Sequence, residues 1–227
     1  MNICKEIHEL ICSHLDEILA LRDTAVYKED NTPVSKGDLL CQSLIANYIN
    51  EHLSNCLIIS EEIRNDVSHI SDYEYVVTID PIDGTENFVS GLKEWGFGVS
   101  IFRNMKHYQS VIALPQMGLV LYSGEKIERR SGSRIVALSS RIVPDEVSSI
   151  KGDEQCRVTG CSMYSMYCVI TGSFKRYIHF HGSYSWDILP GLNIALENGM
   201  NVTVEGKPYN GEFLLPNIRY QFCVGRF

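Results

Sequence analysis

The segment Asp80-Pro81-Ile82-Asp83-Gly84-Thr85, which follows directly on the apolar run 75–79, constrains the fold more than any other part of the chain. The run predicts a buried strand, so the segment forms a tight turn at the end of that strand. The turn carries two carboxylates, which suit hard divalent cations. Its next residues offer free amides and a hydroxyl, which suit a phosphate group. The sequence therefore predicts a strand end where a metal ion and a phosphoryl group meet.

Further acids occupy comparable positions in the sequence. Glu61 and Glu62 follow the apolar run 57–59, and Asp187 lies at the predicted start of a helix. Glu61 and Glu62 follow one predicted strand, and Asp80 follows the strand at 75–79. If these two strands are neighbours in one sheet, their carboxyl ends converge on one crevice. Each of these acids also has a purely structural explanation, because acids cap helices and stabilise turns.

Hydrophobic periodicity predicts a chain of the layered α/β (α+β) class, with two sheets and a boundary near 125–135. Helices are expected at 2–22, 38–53, 162–171 and 187–197. The second of these should have Leu39 on its inner face, and the last should carry Pro190 in its first turn, where the missing amide costs little. Strands are expected at 57–59, 75–79, 96–103, 109–114, 118–123, 135–138, 157–159, 176–180, 201–204 and 221–224. A loop or short hairpin should occupy 23–37, and 144–155 should be a polar connection.

Composition excludes several classes of protein. The net charge of −8 argues against a surface that binds nucleic acid, because phosphate backbones select basic patches. No segment is apolar for long enough to cross a membrane, and the N-terminus lacks the pattern of a secretion signal. We therefore expect a cytoplasmic protein. The eight cysteines show no zinc-binding spacing, so buried, reduced thiols are expected.

These segments together resemble the inositol monophosphatase superfamily. The resemblance rests on Asp-Pro-Ile-Asp-Gly-Thr-Glu-Asn-Phe (80–88), Ser-Glu-Glu (60–62) and Trp-Asp (186–187), with Lys28, 32–38 and 95–101 as further matches. It extends from about Lys28 to Lys207. It implies an alternating α-β-α-β-α sandwich with a mainly antiparallel first sheet. It also implies Mg²⁺-dependent, lithium-sensitive phosphomonoesterase activity, as in inositol monophosphatases and 3′(2′),5′-bisphosphate nucleotidases.

The resemblance also implies a role for each matching residue. Glu61, Asp80 and the Ile82 carbonyl would hold one Mg²⁺, and Asp80, Asp83 and Asp187 would hold a second, with two or three ions in total. Thr85, oriented by Asp38, would activate water, so the catalytic residues are Asp38, Thr85 and Glu61. The residues expected to contact phosphate or substrate are Asp83, Gly84, Thr85, Gly160, Ser162 and Asp187.

The substrate is the part of the function that the sequence leaves open. Asn87-Phe88 favours an inositol or sugar phosphate, whereas Thr32-Pro33-Val34-Ser35 and Ser139-Ser140-Arg141 favour adenosine 3′,5′-bisphosphate. A non-catalytic protein that binds a metal and a phosphorylated metabolite is a further alternative. We expect one compact unit, with an N-terminal half (1–130) that carries the metal site and a C-terminal half (131–227) that completes it. A homodimer is expected by analogy.

Two other groups of residues are candidates for binding. Lys126, Arg129, Arg130 and Arg134 could attract an anion, although a solvated loop face is the simpler interpretation. His179 and His181 place two imidazoles on one face of a predicted strand, and we interpret them as part of an exposed face.

Overall fold

The computed structural model describes residues 2–29, 31–63, 66–140 and 150–226. Six α-helices are labelled here in chain order: α1 (Ile3–Ser13), α2 (Leu15–Ala20), α3 (Lys36–His52), α4 (Thr85–Val89), α5 (Ser162–Ile170) and α6 (Ser185–Glu197). The first seven strands are β1 (Val26–Tyr27), β2 (Pro33–Val34), β3 (Cys56–Ser60), β4 (Tyr75–Asp83), β5 (Gly96–Arg103), β6 (Lys106–Leu114) and β7 (Leu119–Tyr122). The others are β8 (Ile135–Leu138), β9 (Gln155–Val158), β10 (Arg176–Ser183), β11 (Asn201–Val204), β12 (Lys207–Pro208) and β13 (Tyr220–Gly225).

The strands form two sheets and a hairpin. The first sheet has the order β3-β4-β5-β6-β7, and only its β3–β4 pair is parallel. The second has the order β12-β11-β13-β10-β8-β9. The expected meander and mainly antiparallel first sheet are confirmed, and the 23–37 segment contains the short β1–β2 hairpin. Residues 144–149 of the expected polar connection, and Arg141, lie outside the described residues.

The alternation of side chains along the strands builds the layers. Val77 and Ile79 of β4 face α1 and α3, whereas Val76 faces α5 and α6. The described residues thus show four layers in order: α1–α3, the first sheet, α5–α6 and the second sheet. The largest apolar cluster joins both sheets through the α5–α6 layer, since it contains Val76 and Val224. The division into two halves near residue 130 stays a proposal.

Two details of the helices differ from the sequence-based expectation. Leu39 is 53% exposed, because the buried face of α3 carries Cys41, Ile45 and Ile49 at helical spacing and Leu39 lies to one side of it. Helix α6 begins at Ser185, so Pro190 lies in its second turn rather than its first. The Pro190 ring packs closely on β5, since a Cβ on Gly98 would lie 3.1 Å from Pro190 Cγ.

The cysteines are all free thiols. Cys12 and Cys156 are exposed, so the expectation that the thiols are buried holds for only part of the set. No helix in the described part of the chain is both long and apolar enough to span a bilayer.

Candidate active site

The parallel pairing of β3 with β4 brings the first acids together. Ser60 pairs with Ile79, so Glu61 and Asp80 follow at the same edge of the sheet. Both line a cavity of about 240 Å³. The sequence-based condition that the two strands be neighbours is therefore met.

A bulge in β4 turns Asp80 and Asp83 toward this cavity together. In a regular strand, residues three positions apart point to opposite faces. Asp80 pairs with Gly98 and Asp83 with Gly96, so β4 carries one more residue than β5 over this stretch. The extra residue places both carboxylates beside the cavity. This bulge is the local feature on which the geometry of the site depends.

The chain then turns sharply at Gly84 and begins α4. Gly84 has φ of 78°, and a Cβ there would lie 2.9 Å from the Cβ of Cys161, so a larger residue is excluded by both conformation and space. Thr85 follows, and its hydroxyl lies 2.9 Å from the Ile82 carbonyl oxygen and 3.2 Å from Asp38 Oδ1. The Thr85 hydroxyl has one proton, so it can donate a hydrogen bond to only one of these acceptors at a time.

Asp38 lies behind Thr85 rather than in the wall of the cavity. It is 1% exposed, and its Oδ2 accepts hydrogen bonds from the Ser35 amide (2.8 Å) and hydroxyl (2.6 Å). Burial raises the pKa of Asp38, and the bonds from Ser35 oppose that rise. The carboxylate is thus held in one orientation, with Oδ1 left for Thr85.

Asp187 reaches the cavity from the second half of the chain. Its Oδ2 accepts a hydrogen bond from the Tyr184 amide (3.1 Å), so it closes the first turn of α6, as its structural explanation predicted. It also lines the cavity. The pKa of Asp187 is raised well above its ordinary value by burial and then by repulsion from Glu61 and Asp83.

The electrostatic environment is most unfavourable at Asp80. Its carboxylate is 1% exposed, and Oδ1 is buried with no hydrogen-bond partner among the described residues. Burial raises its pKa well above the ordinary value, and Asp83, Asp187, Glu61 and Asp38 raise it further. A buried carboxylate oxygen without a donor, surrounded by other carboxylates, is unfavourable as an anion, and a bound cation would offset its charge.

Glu61 and Asp83 have other partners in this structure. Lys28, carried by the hairpin, lies 3.2 Å from Glu61 and 2.8 Å from Glu62. Asp83 Oδ2 accepts hydrogen bonds from the Met163 amide and from the Cys161 thiol (3.0 Å). Burial raises the pKa of Glu61 to about 7, Lys28 opposes the rise, and Glu62 and Asp38 add to it.

Because Glu61 and Asp83 bond these other partners, the acids of the cavity do not form a ready-made metal site. Within residues 2–29, 31–63, 66–140 and 150–226, no three His, Cys, Asp or Glu side chains converge closely enough to hold a metal ion. The donors are nevertheless the hard oxygens that Mg²⁺ prefers, and Asp80 Oδ1 is unpartnered. The individual metal-ligand roles stay a prediction.

Every residue predicted for the site except Asp38 lines this cavity. The set is Glu61, Asp80, Ile82, Asp83, Gly84, Thr85, Gly160, Ser162 and Asp187. Cys161, Tyr177 and Ser183 line it too and were not anticipated. Cys161 could have been noticed from its place between Gly160 and Ser162, whereas nothing in the sequence marks Tyr177.

The strand bearing the two histidines is also part of the site. His179 lines the cavity, so the interpretation of an exposed face is wrong for it. Burial lowers the pKa of His179 to about 4, with further lowering from His181 and Arg219. An adjoining cavity of about 460 Å³ is lined by Thr32, Ser139, Ser140, His179, His181 and Arg219.

Asn87 and Phe88, which favoured an inositol or sugar phosphate, are structural. Asn87 donates hydrogen bonds to the carbonyl oxygens of Glu94 and Thr159, both at 2.7 Å. Phe88 is fully buried against Trp95. Neither side chain lines the cavity, so they give no information about the substrate.

Comparison with known proteins gives consistent results. Residues 1–141 match the sequence profile of the Inositol monophosphatase family. The chain is 28% identical over 115 residues to the 3′(2′),5′-bisphosphate nucleotidase CysQ of Haemophilus influenzae, covering 48% of this chain and 41% of that protein. It is 23% identical over 231 residues to the nucleotidase of the same name from Escherichia coli, covering 90% and 93%. A solved IMPase/NADP phosphatase, complexed with Mg²⁺ and phosphate, superposes with a TM-score of 0.77 at 19% identity over 98% of this chain and 91% of that one.

Proposed function

Since this chain belongs to the inositol monophosphatase family, we propose that it is a Mg²⁺-dependent phosphomonoesterase that acts on a small phosphorylated metabolite. One observation carries the proposal. Five carboxylates from three segments of the chain line one cavity, and the Thr85–Asp38 pair stands beside them. The five belong to Glu61, Asp80, Asp83, Glu86 and Asp187. A structural role in turns and caps does not require the acids to converge, so convergence favours a metal-dependent site.

Two or three Mg²⁺ ions would be held by the carboxylates of Glu61, Asp80, Asp83 and Asp187 and by the Ile82 carbonyl oxygen. When bound, Mg²⁺ supplies positive charge that offsets the phosphate and the departing alkoxide. The protein supplies the unpaired Asp80 oxygen and the acids that surround it. Lithium sensitivity is part of this proposal.

Water would be activated by the threonine and the buried aspartate. The Thr85 hydroxyl can accept a hydrogen bond from water while it donates its own proton to Asp38 Oδ1, 3.2 Å away. The raised pKa of Asp38 makes this carboxylate a better proton acceptor than an exposed one. Glu61, which lines the same cavity, is proposed to assist in this step.

The phosphate would sit at the turn that follows β4. The backbone amides of Gly84 and Thr85 are proposed to bind its oxygens, and the left-handed conformation of Gly84 allows the close approach. Gly160, Ser162 and Asp187 are proposed to contact the rest of the substrate from the second half of the chain. A cytoplasmic location and a homodimer stay predictions.

Hydrolysis of p-nitrophenyl phosphate tests the activity. We expect turnover with Mg²⁺ that is lost in EDTA and in Asp80→Asn. Asp153→Asn, which changes an exposed aspartate away from the cavity, should retain it. Calorimetric Mg²⁺ binding without turnover of any phosphomonoester would instead support the non-catalytic alternative.

A second candidate substrate is favoured by the adjoining cavity. His181 and Arg219 line it beside the hydroxyls of Ser139 and Ser140, an environment that suits a second phosphate. The two curated relatives described above are 3′(2′),5′-bisphosphate nucleotidases by name. The observation therefore supports adenosine 3′,5′-bisphosphate over an inositol or sugar phosphate.

A substrate panel distinguishes these two possibilities. Inositol phosphates, sugar phosphates and adenosine 3′,5′-bisphosphate would be assayed with Mg²⁺, with and without Li⁺. If the adjoining cavity binds a second phosphate, Arg219→Ala should raise KM for the bisphosphate and leave KM for p-nitrophenyl phosphate unchanged. An equal effect on both substrates would contradict the assignment of this cavity.

A further inference from the structure

The basic loop after the first sheet divides into two groups of side chains. Lys126 and Arg129 line a cavity of about 760 Å³, whereas Arg130 and Arg134 do not. Arg226, which follows β13, lines the same cavity. We call this space the cationic cavity and define it by Lys126, Arg129 and Arg226. It lies at the C-terminal end of α6 and shares no lining residue with the active-site cavity.

The guanidinium of Arg129 is incompletely satisfied. Its Nη2 donates a hydrogen bond to the Val169 carbonyl oxygen in the last turn of α5, at 3.1 Å. Its Nε and Nη1 are buried and have no acceptor among the described residues. Burial of donors without acceptors costs free energy, which an anionic ligand would recover. Burial, and then the positive charge of Arg226, lower the pKa of Arg129.

The cations of the cavity have no acidic partners. In the part of the chain that the structure describes, no carboxylate lies within ion-pair distance of Lys126, Arg129 or Arg226. Two positive side chains, Arg129 and Arg226, are close enough to repel one another. Three uncompensated positive charges therefore surround one space, in a chain whose overall charge is negative.

The two acids that also line the cavity are occupied elsewhere. Glu125 forms an ion pair with Lys5 at 2.7 Å. Glu197 lies 3.3 Å from His107 Nδ1 and accepts a hydrogen bond from the Gly124 amide at 2.6 Å. The charge of Glu125 is balanced by Lys5, whereas Glu197 keeps its negative charge but forms its contacts with His107 and the Gly124 amide. Three cations therefore outnumber the one unbalanced acid, and the local charge of the cavity stays positive.

We propose that the cationic cavity binds a small phosphorylated anion at a site separate from the active site. Its volume falls within the range of small-molecule pockets, roughly 300–1,000 Å³. Guanidinium groups match the geometry of phosphate oxygens, and three cations can compensate a doubly or triply charged ligand. The partly buried Ile127 adds an apolar surface for the remainder of the ligand.

Pyrophosphate is a suitable probe, titrated by isothermal calorimetry in EDTA. Without divalent metal, the carboxylates of the active-site cavity repel an anion, but the adjoining cavity with His181 and Arg219 could still bind one. The comparison of the two double variants below, rather than binding alone, therefore reports on the cationic cavity. The test variant is Lys126→Ala/Arg226→Ala, because both side chains are exposed and their removal should not disturb the fold. The matched control is Arg130→Ala/Arg134→Ala, which removes the same charge from the same loop outside the cavity.

We expect saturable binding to the wild type, Kd raised by about tenfold or more in the test variant, and no change in the control. Absence of binding to the wild type would overturn the proposal. So would equal weakening in both double variants, since that result would reflect overall charge rather than the cavity. The measurement does not depend on turnover, so its outcome is independent of the proposed hydrolytic activity.

Discussion

The raised pKa of Glu61 makes the stability of the metal-free protein depend on pH. The shift from 4.5 to about 7 corresponds to about 3 kcal/mol, at about 1.4 kcal/mol per pKa unit. The Glu61 side chain is 29% exposed, so solvent screening reduces the effect, and we expect about 2 kcal/mol. The folded state binds the Glu61 proton more tightly than the unfolded state. Its contribution to stability is therefore full below pH 4.5 and is lost as pH rises to about 7.

Glu61→Gln should remove this contribution. In EDTA, the free energy of unfolding of the variant minus that of wild type should be about 2 kcal/mol larger at pH 8 than at pH 4.5, which means that the variant gains relative stability as pH rises. For a chain of this size, the difference corresponds to a relative change in Tm of about 4–8 °C. The comparison of two pH values cancels effects of the substitution that do not depend on pH, such as a change in side-chain packing, whereas the ion pair with Lys28 is already included in the pKa shift of Glu61.

The assay is thermal unfolding in EDTA from pH 4.5 to pH 8, followed by circular dichroism or calorimetry. Glu17→Gln, an exposed position on α2, is the matched control and should follow the wild-type curve. The reasoning is refuted if wild type and Glu61→Gln have the same dependence on pH, or if the variant loses relative stability as pH rises.

Three further predictions concern the site and its support. Saturating Mg²⁺, at about 100 times its Kd, should raise the Tm of wild type by about 5–10 °C but raise that of Asp80→Asn far less, as measured by differential scanning fluorimetry. Thr85→Val should lower kcat by about 10²- to 10⁴-fold, whereas Thr85→Ser should retain most activity; equal loss in both would contradict the role of the hydroxyl. Gly96→Ala should destabilise the protein by about 1–3 kcal/mol in urea unfolding, because the new Cβ would lie 2.4 Å from the Ala113 carbonyl oxygen, a backbone atom that cannot move aside; wild-type stability would refute this packing argument.

The parts of the fold that depend on local sequence were predictable. The apolar runs that became β3 and β4 end at acids, and that signal located both strands and the edge of the sheet where the site lies. The meander of β5, β6 and β7 was predictable for the same reason. These features depend on the period of apolar residues and on turn residues, which can be read without knowledge of tertiary contacts.

The parts that depend on tertiary contacts were not predictable. The bulge between Asp80 and Asp83 exists only in relation to β5, so no local pattern marks it. Arg219 joins the site because Tyr220 at the start of β13 pairs with Ser183 of β10, far away in sequence. The exposure of Leu39 likewise depends on which face of α3 packs on the core and not on the hydrophobicity of the residue.

The order of the acids along the chain has a consequence for biosynthesis. Glu61, Asp80 and Asp83 emerge early from the ribosome, whereas Asp187 follows only with α6. A nascent chain therefore carries three mutually repelling acids before the segment that completes their enclosure has been translated. Hydrolytic competence should appear only after α6 has been translated, and polypeptides released before α6 should be inert.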